Sequence, residues 1–275
     1  MNMMFVSNFP IYYEDEEKEA ARIIADAFDR SITLIDGLWG LAIPRDSRLY
    51  VMTSWVRFLF HSAPWGWKLL LGLTLPLWSI RVRRVWEVAG GWAQRYGKRI
   101  AIGIKPPRLL SRADTSIGSR IFHQEDDIEM KVQSITCHEV VHAATGHLKL
   151  PAWLNEGIAM VTVDRFVGHP TVKRETLAML ESFGEGKEPD SYRKVRSKDE
   201  DQLVYLYVRG YWITRMLGES QAEGLLDLLS AGYSSDEISV QIAYLLDIQP
   251  DELWSEIDNR VLAIFQSDNY PVDQL

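Results

Sequence analysis

The sequence predicts an α+β fold in which a small mixed-sheet lobe, residues 1–126, precedes a mainly helical lobe, residues 127–275. Two observations indicate this division. Short alternating runs, Arg48 to Thr53 and Lys98 to Ile104, are typical of strands and lie in the first half, whereas the second half contains longer apolar stretches with helical spacing. With 275 residues, 47% of them hydrophobic, the chain can bury the core that such a fold needs.

Hydrophobic periodicity and turn residues place the remaining elements of the first lobe. The helix from Asp15 to Ile35 has apolar residues on one side, namely Ile24, Phe28, Ile32 and Ile35. The other expected elements are a helix over Arg83 to Tyr96 that becomes irregular around Gly90-Gly91, and a strand over Ile117 to His123.

The second lobe is expected to be helical almost throughout. The expected segments are helices near Val172 to Glu181, Asp201 to Leu217, Asp236 to Leu246 and Pro250 to Phe265, with a polar loop from Phe183 to Lys198. The last helix is predicted to open on its proline, which the first turn of a helix tolerates.

The most informative residues stand in the run His138-Glu-Val-Val-His142. Positions four apart lie about 40° from each other around a helix, so both imidazoles project from one face. The pattern H-E-x-x-H predicts that the two histidines bind one metal ion and that Glu139 is the base for the water at that ion. A solvated amphipathic helix is the alternative interpretation of so short a motif.

A third ligand is predicted from the segment that follows. Asp126 or Asp127 can cap the motif helix, Gly146 can end it, and Pro151 or Ala152 can open a second, antiparallel helix. Glu156 then lies about one turn inside the second helix and can face the histidines.

His147 is the rival third ligand, but on a continued helix it would lie about 140° from His142. Three protein ligands and one open position are typical of catalytic zinc, so Zn²⁺ is the expected cofactor. The lone Cys137 excludes a thiolate-rich structural site.

These segments resemble those of the gluzincin zinc metallopeptidases. Trp153-Leu-Asn-Glu-Gly-Ile-Ala159 is similar to the W-L-N-E-G-F-A stretch of the aminopeptidase N type, and Tyr207-Val-Arg-Gly210 is similar to its Y-E-K-G segment. The resemblance implies a zincin-like metallopeptidase fold with the metal cleft between the two lobes, ligands His138, His142 and Glu156, and Glu139 as base. It also implies Tyr207 as the donor that stabilises the oxyanion. Tyr205 and Tyr211 are the alternatives.

The chain departs from this family at three points, the first being an interval between His142 and Glu156 that is shorter than in the aminopeptidases. The G-x-M-E-N motif is absent, which argues against aminopeptidase activity and leaves endopeptidase activity or a narrower specificity open. The position four residues after Glu156, where many gluzincins have a carboxylate that orients a histidine ligand, is Met160; Asp164 or a backbone carbonyl could substitute. The predicted function is a metallopeptidase acting on a peptide or protein substrate. A non-catalytic zincin-like binding or scaffold protein is the competing hypothesis.

The apolar, Trp-rich segment 55–80 has three interpretations, namely buried core or cleft lining, attachment to a membrane interface, and a membrane span. A basic block follows, with ten Lys or Arg residues against two acids: Arg81, Arg83, Arg84, Arg95, Lys98, Arg99, Lys105, Arg108, Arg112 and Arg120 against Glu87 and Asp114.

Charge and targeting signals limit the remaining classes. The net charge of -8 and the absence of a nucleic-acid motif argue against nucleic acid as a partner. The first ten residues lack the basic and long apolar parts of a secretory signal, and one cysteine excludes an internal disulfide. The expected location is therefore cytoplasmic, with peripheral membrane contact as the option that segment 55–80 leaves open. The oligomeric state is not predicted.

Overall fold

The computed structural model describes residues 1–74, 86, 89–110, 117–183, 186–187 and 200–266 of the chain. The described residues form an α+β fold, as predicted, with a five-stranded mixed sheet. The strands are β1 Asn2–Val6, β2 Phe9–Tyr13, β3 Arg48–Val51, β4 Gly91–Tyr96 and β5 Arg99–Ile104. The helices are α1 Lys18–Trp39, α2 Trp55–Ser62, α3 over residues 65–74, α4 Pro107–Leu110, α5 Gly118–Ile121, α6 Ile128–Thr145, α7 Ala152–Val167, α8 Leu177–Phe183, α9 Glu200–Ser220, α10 Ala222–Ala231, α11 Ser235–Leu245 and α12 Leu253–Phe265.

The sheet has the order β1-β2-β3-β5-β4, with a parallel centre and an antiparallel pair at each edge. The β1–β2 hairpin turns at Ser7 and Asn8, which both have positive φ, and asparagine tolerates that conformation better than most residues. The central strands β3 and β5 are the most buried, with Leu49 and Ile102 fully inaccessible. Strand β4 is therefore an edge strand of the described sheet.

Helix α1 confirms the predicted amphipathic helix and is longer than predicted. Ile24, Phe28 and Ile35 are completely buried, and Ile32 is half-buried, so the apolar side expected from periodicity faces the core. A short 3-10 turn, Asp15–Glu17, precedes the helix.

Two compact units can be distinguished in the chain. The first comprises residues 1–37, 41–119 and 124–144, and contains the whole sheet together with most of α6. The second comprises residues 38–40, 120–123 and 145–275, and in its described part it is mainly helical.

Two predictions for the first half are wrong. Residues 91–96 are strand β4 rather than the end of a helix, because they pair antiparallel with β5 over their whole length. The expected strand Ile117 to His123 is instead the single helical turn α5 followed by one isolated bridge between Phe122 and Val172. A strand needs a neighbour to pair with, and the sequence of one segment does not reveal that neighbour.

The helices predicted in the second half correspond to α8, α9, α11 and α12. Helix α12 begins at Leu253 and not at Pro250 as predicted. Three elements of the structure were not predicted, namely helix α10 and strands β1 and β2. Parts of four predicted features lie outside the described residues. They are residues 75–80 of the Trp-rich segment, the arginines at 81, 83, 84 and 112, residues 83–85 and 87–88 of the expected helix, and the expected loop 183–198 apart from residues 183, 186 and 187.

The described part of the Trp-rich segment contains two different environments. Helix α2 buries Trp55, Phe58 and Leu59 in a core cluster with Tyr50 and Met52, which confirms the core interpretation for that helix. The side chains of α3 are mostly exposed, so the core interpretation does not extend to it. None of the helices in the described residues is long and apolar enough to cross a membrane.

Candidate metal centre

Helix α6 carries the H-E-x-x-H motif in its second half. Its start is capped by Asp127, whose carboxylate accepts hydrogen bonds from the backbone N–H groups of Glu129 at 2.9 Å and Met130 at 3.3 Å. This confirms one of the two predicted caps. The helix ends at Thr145 and Gly146 follows in an exposed turn, as the sequence predicts.

His138 and His142 project from the same face of α6. Their Nε2 atoms are 3.0 Å apart, and the two half-buried rings meet edge to face with centroids 4.6 Å apart. Two ligand atoms at the usual zinc–nitrogen distance from a tetrahedral ion are separated by about 3.3 Å. The two imidazoles thus already have nearly the spacing that one ion requires.

A short connection returns the chain from α6 into α7. Pro151 stands at the N-cap and Ala152 opens the helix, as predicted. The hydroxyl of Thr145 donates to the Asn155 side-chain oxygen at 2.7 Å, which bonds the last turn of α6 to the first turns of α7. The next residue is Glu156, which is only 3% exposed.

One ligand atom from each of His138, His142 and Glu156 lies within 4.8 Å of the other two. Two neutral imidazoles and a carboxylate are a donor set that suits Zn²⁺. The three residues therefore fit a metal ion in both chemistry and spacing, while their role as ligands stays a prediction.

Glu139 lies beside the start of strand β4, the edge strand of the sheet. A Cβ atom on Gly91 would stand 2.5 Å from the Cγ of Glu139, closer than real Cβ contacts allow, and 3.1 Å from its Cδ, which is unusually tight. Glu139 itself is 9% exposed. The backbone of β4 can approach this carboxylate only because position 91 has no side chain.

Two other candidate ligands lie elsewhere. His147 is exposed in the turn after α6 and does not belong to the His138, His142 and Glu156 cluster. Cys137 is fully buried, and burial raises the pKa of its thiol to about 12, so this residue behaves as a core side chain.

The three candidate tyrosines of α9 have different surroundings. Tyr211 is completely buried and donates its hydroxyl to Asp164 at 2.6 Å, and Tyr205 donates to Asp258 at 3.4 Å. Tyr207 is half-buried on the same helix. The alternatives Tyr205 and Tyr211 thus bond to carboxylates outside the cluster, and the assignment of the oxyanion donor to Tyr207 stays a prediction.

Asp164, a predicted candidate for orienting a histidine, has partners in α9 and in the segment after α7. One carboxylate oxygen accepts from the backbone N–H and the hydroxyl of Thr171, both at 2.7 Å, and the other accepts from Tyr211, whose hydroxyl also accepts from Arg215 at 3.0 Å. Burial raises the pKa of Asp164, and the hydrogen bonds from Tyr211 and Thr171 oppose that rise. These bonds hold Asp164 in a structural network, and Met160 is buried beside it in α7.

Helices α7 and α9 cross at two glycines that stand in the two family-like segments. A Cβ atom on Gly210 would lie 2.1 Å from the backbone oxygen of Trp153, and one on Gly157 would lie 2.2 Å from the backbone oxygen of Gly210. The two backbones are therefore in direct contact, which only glycine permits. This contact positions the first half of α7, where Glu156 is located.

Arg209, which precedes the crossing glycine, is 1% exposed and bonds α9 to α12. Its guanidinium donates to the Asp258 carboxylate at 2.8 Å and to the backbone oxygens of Lys187 and Trp254 at 2.6 and 3.3 Å. The Trp254 ring also lies 4.9 Å from the guanidinium carbon. The charge is thus compensated on several sides, as a buried charge requires.

Sequence reasoning missed the parts played by Gly91, Asn155, Arg209 and Gly210. The Gly90-Gly91 pair next to an alternating run was a usable signal, because glycine inside a strand often marks a close backbone approach. The pairing of Arg209 with Asp258 joins positions far apart in the sequence, and nothing local indicates it.

No protein-family model, curated protein or solved structure matches the chain. The similarity to gluzincins therefore rests on the short segments named above, and membership of that family stays a prediction.

Proposed function

We propose that the protein is a zinc-dependent metallopeptidase of the gluzincin type, with a zincin-like fold. The observation that carries the proposal is the approach of His138, His142 and Glu156 to within 4.8 Å of one another, next to Glu139. The four residues come from two short segments, the H-E-x-x-H run on α6 and the start of α7. A helix that merely displays solvated histidines would not need a nearly buried glutamate from a second helix beside them.

The number of ligands supports a catalytic rather than a structural ion. Among the described residues the cluster has three members. The lone cysteine of the chain, Cys137, is a buried core residue and does not belong to it. Structural zinc sites are usually closed by four protein ligands, whereas catalytic sites keep one position for water or substrate.

The chain's own residues provide the acid–base chemistry. A zinc ion held by this cluster would supply Lewis acidity, which lowers the pKa of water to about 7 and polarises a peptide carbonyl. Glu139 would accept the proton of the attacking water and deliver it to the leaving amine. Its carboxylate is held against the glycine backbone of β4, which restricts the positions it can take.

Tyr207 would donate a hydrogen bond to the oxygen on which negative charge develops. Tyr207 is the candidate because it stands in the segment similar to Y-E-K-G, and the alternatives Tyr205 and Tyr211 donate to Asp258 and Asp164. Loss of one such donor lowers turnover by about 10²–10³-fold.

The substrate is proposed to be a peptide in extended conformation. Strand β4 is at the edge of the described sheet and begins beside Glu139, so a peptide that paired with this edge would bring its backbone carbonyls towards the site. The absence of the G-x-M-E-N motif favours endopeptidase activity over removal of N-terminal residues.

The test of this function is turnover of a mixed peptide library by the wild type, Glu139→Gln and Glu129→Gln. Glu139→Gln is expected to lower turnover by about 10²–10⁴-fold while zinc content is retained. Glu129→Gln is the matched control, because Glu129 lies on the exposed first turn of the same helix and should turn over peptides normally. Undiminished turnover in Glu139→Gln would refute the mechanism. Zinc binding without any peptide turnover in the wild type would favour the scaffold hypothesis.

A further inference from the structure

Helix α3 has an exposed apolar side. Trp65, Leu69 and Leu73 recur every four residues, so they fall within about 80° around the helix axis. Their exposed fractions are 78%, 59% and 82%, and Leu70, which borders the same side, is 51% exposed. Large apolar side chains are seldom grouped at this exposure on a soluble protein unless something binds there.

The opposite side of α3 attaches the helix to the first compact unit. Leu71 packs against the core cluster of α2 and the sheet, and the Trp67 ring meets the Tyr96 ring edge to face with centroids 5.8 Å apart. Within the described residues the fold therefore packs one side of α3, and the side chains of Trp65, Leu69 and Leu73 remain largely exposed. Their apolar character needs a different explanation.

The neighbourhood of α3 is basic although the whole chain is acidic. The sequence of residues 55–110 contains ten Lys or Arg residues and a single acid, whereas the net charge of the chain is -8. Three of the arginines lie outside the described residues, Lys105 is buried, and Arg57 and Arg108 pair with acids, so four basic residues of the described surface matter here. Lys68 lies on α3 itself, and Arg95, Lys98 and Arg99 lie on the β4–β5 hairpin. That hairpin also carries Tyr96, the residue in contact with Trp67. Basic side chains thus lie on α3 itself and on the hairpin that contacts it.

We propose that α3 binds the surface of an anionic phospholipid bilayer. Trp65, Leu69 and Leu73 would enter the boundary between headgroups and acyl chains, where tryptophan is favoured, and the basic side chains would face the phosphates. An anionic surface repels a chain of charge -8 unless a local basic region faces it, and Lys68 with the hairpin residues Arg95, Lys98 and Arg99 provides that region.

Charge also distinguishes this partner from a second copy of the chain. Pairing of two α3 faces would bring two basic surfaces together, which like-charge repulsion disfavours. The inference does not depend on the metal centre or on peptidase activity.

The experiment is flotation of the full chain with vesicles of equimolar phosphatidylcholine and phosphatidylglycerol, beside vesicles of phosphatidylcholine alone. The test variant combines Trp65→Gln, Leu69→Gln and Leu73→Gln. The matched control combines Phe5→Gln, Leu226→Gln and Tyr244→Gln, which are exposed apolar residues outside segment 55–110. Circular dichroism and thermal midpoints check that both variants fold.

The wild type and the control should float with the anionic vesicles and not with the neutral ones. The α3 variant should bind at least about tenfold more weakly, because burial of the Trp and Leu side chains in the bilayer interface contributes much of the free energy of binding. Lys68→Gln should weaken binding about fivefold, and added salt should weaken it further.

Three results would overturn the proposal. The first is a wild type that stays in the bottom fraction with anionic vesicles. The second is equal flotation of the wild type and the α3 variant. The third is light scattering that shows a wild-type dimer which the α3 variant dissociates, because a second copy would then cover this face.

Discussion

Substitution of Gly210 by alanine should destabilise the protein at the crossing of α7 and α9. The added Cβ atom would lie 2.1 Å from the backbone oxygen of Trp153, and ordinary contacts begin at 3.4 Å, so the two helices must separate by more than about 1 Å. A gap of this size forfeits a quarter to a half of the dispersion energy at the contact, and overpacking typically costs about 1–3 kcal/mol. Alanine returns up to about 1 kcal/mol through its higher helix propensity. With an overpacking cost near the upper end, about 3 kcal/mol, and about 1 kcal/mol returned by helix propensity, a net loss of about 2 kcal/mol is expected.

Gly218 provides the matched control, because it lies on the same helix and an added Cβ would meet nothing within 4 Å. Gly218→Ala should therefore stabilise the protein by about 0.5–1 kcal/mol. Chemical denaturation of both variants beside the wild type measures the two changes. The account predicts opposite signs, and a Gly210→Ala variant as stable as Gly218→Ala would refute the close contact.

Three further substitutions test other parts of the structure. Arg209→Ala should lower the free energy of unfolding by about 3–5 kcal/mol, because it leaves a buried carboxylate without its cation. Arg22→Ala, at an exposed ion pair within α1, should cost less than about 0.5 kcal/mol, and urea titration compares the two variants. Burial raises the pKa of Tyr50 to about 12, so the unfolded chain, with the ordinary tyrosine pKa of 10.0, ionises first. The contribution of Tyr50 to the free energy of unfolding is therefore complete below pH 10 and falls by about 1.4 kcal/mol per pH unit as the pH rises through 12. Tyr50→Phe should lack this fall when alkaline denaturation is measured. Gly91→Ala should displace Glu139 and lower peptide turnover by at least about tenfold while zinc is retained. The control Gly118→Ala, at a position where an added Cβ meets nothing within 4 Å, should turn over peptides normally. A fully active Gly91→Ala variant would contradict the close approach of β4 to Glu139.

The local chemistry of the helical hairpin was sufficient to predict its limits from the sequence. Capping by Asp127, termination near Gly146 and a helix start after Pro151 are each decided by neighbouring residues, and the structure has all three. The proximity of Glu156 to the two histidines follows from the same local geometry.

The sheet was less predictable because pairing is a property of two segments. The run from Ile117 to His123 has the composition of a strand but forms only the bridge from Phe122 to Val172, whereas Gly91–Tyr96 looked irregular and became the edge strand beside Glu139. The partner decides each outcome, and neither segment contains that information.

Contacts that join distant positions were likewise beyond the reach of pattern reasoning. The backbone contact of Gly210 with Trp153 and the ion pair of Arg209 with Asp258 connect residues that are 57 and 49 positions apart, and neither has a local signature. Trp153, Arg209 and Gly210 stand in segments whose motifs had indicated catalytic rather than structural roles.

The central claim is tested most directly by elemental analysis of purified wild type, Glu156→Ala and His147→Ala after zinc has been supplied. We expect about one zinc per chain in the wild type, loss of that zinc in Glu156→Ala, and full retention in His147→Ala, because His147 is exposed and outside the cluster. A wild type without zinc, or a Glu156→Ala variant that keeps it while His147→Ala loses it, would refute the proposed metal site.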